Sequence, residues 1–164
     1  MAHDFPMIRA GGLFILLIGC GVAAGSIIPS RRRLLLAAGA VIASVALIAL
    51  ASRLSAPFGQ PTRLQIQALI AAIIFEAVAI RFAVAKYRTA GERALLLAIL
   101  FAVGLHFVPM GLAFGPICAV LGLASSTSAA TGLWFARSVP LNALWAADGI
   151  MKVAFGAAML GVGW

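Results

Sequence analysis

The chain has 164 residues, of which 64% are hydrophobic and 10% are charged, and its formal net charge at pH 7 is +8. This composition, with a mean hydropathy of +1.14, excludes a water-soluble globular domain and predicts an integral membrane protein. A hydrocarbon core about 30 Å thick requires roughly 20 apolar residues per helix. The chain therefore has room for six spans and short connectors, and none for a separate soluble domain.

Charged residues, prolines and glycines divide the chain into apolar runs of membrane-spanning length. The first run is too long, and too rich in glycine at its end, for a cleaved signal peptide, so we expect it to be a retained span. The fifth run begins at Pro116, which suits a first helical position, after a predicted tight turn at 111–115. We predict an all-α polytopic transmembrane bundle, a single domain over 1–164, with spans at about 9–28, 34–51, 64–85, 94–110, 116–136 and 141–163.

The distribution of cations predicts the orientation, because short cytoplasmic connectors hold an excess of lysine and arginine. The side of the membrane opposite the predicted cytoplasmic side has only Arg9, Arg53 and Arg63. We therefore expect both termini outside, in a bacterial inner membrane. The same asymmetry explains most of the positive charge, so no nucleic-acid partner is predicted. The first, third and fifth connectors hold the remaining cations, which are Arg31, Arg32, Arg33, Lys86, Arg88, Arg93 and Arg137.

Small residues indicate where helices pack, since they allow backbones to approach closely in lipid. Gly21 and Gly25 form a G-x-x-x-G pair in the first span. In the third span Glu76 shares one helical face with four alanines. We expect that face to be buried against protein, with Glu76 pointing inward. The four alanines are Ala68, Ala72, Ala79 and Ala83.

Several ionisable and hydroxyl residues fall at membrane depth, where a charge costs about 2.5–3.5 kcal/mol and commonly marks a functional site. A rise of about 1.5 Å per residue places Glu76 and Asp148 near the midplane. His106 and Lys152 lie about one turn further out. We predict that these four residues form a ligand- or proton-binding site, although the sequence alone does not place them on a shared face. The secondary candidates are Arg81, Pro109, Ser125, Ser126 and Ser128.

Each of these residues also has a purely structural interpretation. Asp148 and Lys152 are spaced i and i+4 and can form a salt bridge within one helix. Arg81 can extend to the lipid head groups, and His106 can simply donate a hydrogen bond to a neighbouring helix. Glu76 has no cation at i+4, so it must find a partner on another helix, bind a ligand or be protonated.

The run Gly-Leu-His-Phe-Val-Pro-Met at 104–110, followed by Phe114, resembles a Gly-Leu-His-Phe-x-Pro-[Leu/Met] motif. That motif is found in an uncharacterised family of small multi-span bacterial membrane proteins, which often have a glutamate in the preceding helix. The resemblance covers about the middle third of the chain. Gly111 departs from it, since a small residue such as alanine is expected there. The resemblance implies that Glu76, His106 and Pro109 belong together, but it implies no activity.

Other chemistries have weaker support; the sequence does not identify a cofactor, and no metal site is predicted. Cys20 and Cys118 lack a C-x-x-C spacing, and His106 is the only histidine at membrane depth, whereas a b-type haem normally takes two axial ligands. The serines lack a nucleophile motif. A metal site formed by Glu76, His106 and Asp148 is chemically reasonable, but one histidine and two distant acids are weak evidence for it.

An inverted repeat of three helices, as found in transporters, has partial support. The first and fourth spans end near Pro29 and Pro109, and the third and sixth each contain an acid followed by a base. The remaining residues do not align.

The function that we predict is the binding or translocation of a small solute or ion, including by proton coupling, in a homo-oligomer within the bilayer. The alternatives are an integral membrane enzyme or cofactor-binding protein, and a structural or assembly subunit of a membrane complex.

Overall fold

The computed structural model describes residues 4–162, and within this range the chain is entirely helical, without a strand. The described residues form six helical segments long and apolar enough to cross a membrane, the fifth of which includes the π-helical turn that follows its α-helix (Pro116–Phe135), as the sequence predicted. Their α-helices are α1 (Ile8–Ile27), α2 (Arg32–Ser55), α3 (Arg63–Tyr87), α4 (Glu92–Phe114), α5 (Pro116–Ala130) and α6 (Leu141–Gly161). Short 3₁₀ turns at Pro29–Arg31 and Ala56–Phe58, and a π-helical turn at Thr131–Phe135, complete the structure.

Two predicted boundaries differ from the observed ones. The fourth helix does not end at Met110 but continues through Pro109 and Gly111 to Phe114. The tight turn predicted at 111–115 is reduced to Gly115, whose φ of 96° is in the region that favours glycine. The end predicted for the sixth span, at 163, lies outside the described residues.

Both described chain ends lie at the same end of the bundle, which we call the terminal end. The Gln65 amide at the start of α3 donates a 2.7 Å hydrogen bond to the carbonyl of Asp4. Arg9 at the start of α1 donates a 2.9 Å hydrogen bond to the carbonyl of Val162. The opposite end, which we call the far end, holds the connectors 28–31, 88–91 and 136–140.

Helices α1 and α4 are the central elements of the bundle. The most extensive packing joins α1 to α6 and α2, and α4 to α5 and α3, while α5 and α6 share a smaller interface. The outer faces of α2 and α3 are apolar and exposed; Ile48, for example, is 84% exposed. Such faces suit contact with lipid.

The packing has the pattern of an inverted repeat. If α1–α3 correspond to α4–α6, the α1/α2 contact corresponds to the α4/α5 contact, and the α1/α6 contact corresponds to the α4/α3 contact. Within the described residues the α5/α6 interface has no comparable counterpart between α2 and α3. The residue equivalent to Pro29 is Pro116, which opens α5, rather than Pro109, which lies inside α4.

The predicted G-x-x-x-G pair in α1 lies at helix contacts. A Cβ at Gly21 would lie 2.8 Å from the carbonyl oxygen of Leu35 on α2, and one at Gly25 would lie 3.1 Å from the Trp145 indole nitrogen on α6. A third glycine, Gly19, faces the site described next. A Cβ there would lie 2.8 Å from the Lys152 Cβ, so the absence of a side chain at Gly19 allows α6 to bring Lys152 into the bundle.

Candidate functional site

A buried polar network joins α5 and α6. Asp148 accepts a hydrogen bond from the Ser125 hydroxyl on one carboxylate oxygen and from the Lys152 ammonium on the other. Lys152 Nζ also lies 3.4 Å from Ser125 Oγ. All three residues are buried; Ser125 and Lys152 are each 1% exposed. The network therefore satisfies two charges that would be very costly if left unpaired inside the bundle.

The local sequence explains half of this network. Asp148 and Lys152 are one helical turn apart, so their side chains meet on one face of α6, as predicted from the spacing. Ser125 comes from α5, which packs closely on α4: a Cβ at Gly122 of α5 would lie 2.8 Å from the Val108 nitrogen of α4. The Ser125 hydroxyl reaches Asp148 across the smaller α5/α6 interface. A hydroxyl at that position supplies the additional hydrogen bond that a buried pair requires.

A second polar pair joins α3 and α4. The Glu76 carboxylate on α3 lies 3.7 Å from His106 Nε2 on α4. This distance is longer than a direct hydrogen bond. The predicted partner for Glu76 on another helix is thus His106, and the Ala72 and Ala83 positions on the same face of α3 are buried as predicted.

The tautomer of His106 follows from its second contact. His106 Nδ1 hydrogen-bonds the carbonyl oxygen of Val103, one turn earlier in α4. A carbonyl only accepts, so Nδ1 must hold the proton, and Nε2 of the neutral ring then presents a lone pair. When Glu76 is ionised, two hydrogen-bond acceptors face each other across 3.7 Å.

Lys152 of the buried network also approaches the Glu76–His106 pair. Its ammonium is 5.9 Å from the ring centroid of Phe107, the neighbour of His106, and it is close enough to interact electrostatically with both Glu76 and His106. Helices α3, α4, α5 and α6 therefore all contribute polar groups to one region of the bundle. Its members are Glu76, His106, Ser125, Asp148 and Lys152.

Of the secondary candidates from the sequence, Ser125 belongs to this region and the other four take no part in it. Arg81 is exposed, in agreement with an interfacial position, and Ser128 is half-buried. Ser126 is buried against Gly104 of α4, and its hydroxyl has no hydrogen-bond partner among the described residues. Pro109 remains within a continuous α4.

Within residues 4–162 no group of three or more histidine, cysteine, aspartate or glutamate side chains is placed to hold a metal ion. Glu76, His106 and Asp148 thus do not form the metal site that the sequence left open.

Two arginines that the sequence indicated only as connector cations have structural roles at the far end. Arg32 is buried, donates to the Asn142 side chain at the start of α6, and lies 5.2 Å from the Trp145 ring centroid. Arg93 donates to the carbonyls of Gly132, Ala136 and Val139 at 3.1, 3.1 and 2.6 Å. Neither role has a local sequence signal, since each depends on a segment at least 39 residues away in the chain.

Comparison with known proteins identifies the family of the chain. Searches of the curated proteins and of the solved structures gave no match. The sequence model of a family of unknown function, DUF6609, matches residues 1–163, and because this is nearly the whole chain, the protein belongs to that family.

Proposed function

We propose that this protein binds or translocates a small solute or ion, with exchange of a proton at the Glu76–His106 pair. The observation that supports the proposal most strongly is the 3.7 Å separation between the Glu76 carboxylate and His106 Nε2. Two facing acceptors repel each other unless one of them takes up a proton or both coordinate a cation. The gap is therefore suited to take up and release one small positive species.

The charges of the surrounding groups favour the same interpretation. With both carboxylates ionised, Lys152 protonated and His106 neutral, the region has one more negative than positive charge. One additional proton or monovalent cation would neutralise it. The buried Asp148–Lys152 pair then acts as a fixed electrostatic background, and Glu76 and His106 act as the exchanging groups.

Access distinguishes the two parts of the region. The Glu76 side chain is 29% exposed and that of His106 is 5% exposed, while those of Lys152 and Asp148 are 1% and 3% exposed. A ligand would therefore arrive on the Glu76 side of the pair. Ionisable residues at membrane depth are typical of proton relays and ion pathways.

The proposal includes an orientation and a location. The far end would face the cytoplasm, because it holds the excess of lysine and arginine, and both termini would lie outside the bacterial inner membrane. Homo-oligomerisation stays part of the proposal, because the bundle is small and has broad apolar outer faces on α2 and α3.

An enzymatic use of the same residues has one supporting contact and one opposing observation. Lys152 Nζ lies 3.4 Å from Ser125 Oγ, as in a serine–lysine pair. However, the Ser125 hydroxyl is directed at Asp148 and Ser125 is only 1% exposed, so a substrate would not reach it. Transport is therefore the better supported function.

The proposal is tested by flux measurements on purified protein in liposomes with an internal pH dye, under imposed proton, sodium and potassium gradients. Glu76→Gln and His106→Gln should reduce the flux at least tenfold without changing the oligomeric size. Arg81→Gln is the matched control, because Arg81 is on the same helix but exposed, and it should retain the wild-type flux. Flux equal to that of protein-free liposomes, with a chromophore or lipid-like molecule that co-purifies and is lost in His106→Ala, would instead indicate a cofactor protein or enzyme.

A further inference from the structure

A second site, distinct from the Glu76–His106 pair, lies in a groove at the far end between α3, α4 and the π-helical turn. The groove has a volume of about 270 Å³ and apolar walls. Its walls include Ala79, Phe82, Ala83, Phe101, Leu105 and Trp134. Neither Glu76 nor His106 lines it, and its inner end, at Ala79 and Leu105, lies within one helical turn of them. The groove is thus a neighbouring but distinct site.

The groove continues into a cationic mouth. A neighbouring cavity of about 330 Å³ shares Tyr87, Leu133 and Trp134 with the groove and is also lined by Arg93 and Arg137. Lys86 lines the groove itself, and its ammonium lies 5.4 Å from the Tyr87 ring centroid. The two cavities together form an apolar slot that opens among three cations.

The wall formed by Trp134 is fixed by specific contacts. The Trp134 ring packs edge-on against Phe101 with centroids 5.7 Å apart. Arg93 donates hydrogen bonds to the carbonyl of Gly132, within the π-helical turn that holds Trp134, and to the carbonyl of Ala136, just after that turn. Departures from α-helical geometry of this kind are frequent at functional sites. The local structure thus keeps the slot open rather than letting side chains fill it.

The length of the slot matches one leaflet of a bilayer. Ala79 and Tyr87 mark its two ends on α3, and eight residues at 1.5 Å each give about 12 Å. Half of a hydrocarbon core about 30 Å thick is about 15 Å. Trp134 and Tyr87 at the mouth are residue types enriched at the membrane–water interface, so the slot would lie within the leaflet and the mouth at the head groups.

The charge at the mouth is available to a ligand. Arg93 is engaged by three carbonyls, but Lys86 and Arg137 are exposed. Among residues 4–162 the ion pairs are His106–Glu76 and Lys152–Asp148, so neither Lys86 nor Arg137 has a carboxylate partner there. A basic pocket between transmembrane helices at head-group level is typical of anionic lipid recognition.

We propose that this groove binds one anionic phospholipid from the leaflet around the far end. One acyl chain lies in the slot between α3 and α4, and the phosphate of the head group contacts Lys86 and Arg137. A neutral phospholipid would fill the slot equally well but would gain nothing from the two cations. The groove is therefore selective for head-group charge rather than for the acyl chain.

The test uses Trp134 as the reporter in vesicles of phosphatidylcholine that contain brominated phosphatidylglycerol or, separately, brominated phosphatidylcholine. Subtracting the signal of Trp134→Phe isolates the Trp134 emission. In the wild type, half-maximal quenching should require about twenty-five-fold less of the anionic than of the neutral brominated lipid, because each of the two cations near an anionic head group contributes about a factor of five. Lys86→Gln combined with Arg137→Gln should remove this preference.

Arg31→Gln combined with Arg33→Gln is the matched control, since both are exposed far-end arginines outside the groove, and it should retain the preference. Ala79→Leu, which fills the slot from the half-buried α3 face, should weaken quenching by both lipids. Equal quenching by the two lipids in the wild type would overturn the proposal. Loss of the preference in the control would also overturn it. So would stronger quenching by a brominated fatty acid than by brominated phosphatidylglycerol. A second copy of the chain that blocks the quenching when crosslinked at this face would overturn it as well.

Discussion

Gly12 on α1 and Gly156 on α6 face each other at backbone contact distance. A Cβ at Gly12 would lie 2.8 Å from the Gly156 carbonyl oxygen, and a Cβ at Gly156 would lie 2.7 Å from the Gly12 carbonyl oxygen. One heptad along the same interface, a Cβ at Gly19 would lie 3.0 Å from the Gly149 carbonyl oxygen, and a Cβ at Gly149 would lie 2.5 Å from the Ala23 nitrogen. The two helices run in opposite directions, so the glycine pairs match in reverse order. This interface holds α6, and with it Asp148 and Lys152, against the centre of the bundle.

The glycine contacts predict a large loss of stability from a single methyl group. Gly156→Ala should destabilise the protein by about 1–3 kcal/mol, the usual cost of overpacking, because the atoms in the way are backbone atoms that cannot move independently. Thermal unfolding in detergent measures the change. Gly161→Ala is the control on the same helix, since nothing lies within 4 Å of a Cβ there, and it should leave the unfolding temperature within experimental error or raise it. An equal loss in both variants would contradict the close contact.

The buried Asp148–Lys152 pair predicts a non-additive pair of substitutions. Lys152→Met should cost about 3–5 kcal/mol, because it leaves Asp148 charged and buried without a cation. Asp148→Asn in the Lys152→Met background should recover part of that stability, since no unpaired charge remains. Ser125→Ala should cost less than either single change, because the ion pair persists. A double variant whose loss equals the sum of the two single losses would show that the side chains do not form a pair.

The sequence predicted the six helices because the lengths of the apolar runs, and the positions of the charged residues between them, are local properties. It predicted that Glu76 and Asp148 lie in the interior because ionisable residues at membrane depth are rare and usually face the inside of a bundle. The spacing of Asp148 and Lys152 predicted their contact. Local sequence did not determine which helices are neighbours, so the contacts of Ser125 with Asp148 and of Arg93 with the π-helical turn could not be derived.

The sequence also contains a signal for the α1/α6 contact. The heptad spacing of Gly12 with Gly19, and of Gly149 with Gly156, indicates a helix contact as clearly as the G-x-x-x-G pair does. The family match agrees with the expected membership in an uncharacterised family, while the short motif around His106 stays a prediction.

The orientation is tested by cysteine accessibility in intact cells, after Cys20 and Cys118 are replaced. Cysteines at Ser30 and Ala90, both exposed at the far end, should be protected from an impermeant thiol reagent because that end has the excess of cations. At the terminal end, Gln60→Cys should react with the reagent, because Gln60 is exposed. Its neighbour Gly59 is less suitable for a cysteine, because its φ of 98° would strain a residue with a side chain. The reverse pattern of labelling would place the termini in the cytoplasm.

The last prediction concerns the proton on His106, on which the proposed exchange depends. The chain has two histidines, so replacing His3 with glutamine leaves His106 as the single imidazole signal in a nitrogen NMR spectrum. At neutral pH we expect the tautomer with the proton on Nδ1, because the Val103 carbonyl accepts from that nitrogen, and an unprotonated Nε2 directed at Glu76. Glu76→Gln should shift the Nε2 resonance and leave Nδ1 unchanged, because only Nε2 faces residue 76, whereas Arg81→Gln should shift neither. A proton found on Nε2 of the neutral ring would mean that His106 already donates to Glu76, which would remove the pair of facing acceptors and with it the main support for proton exchange at this site.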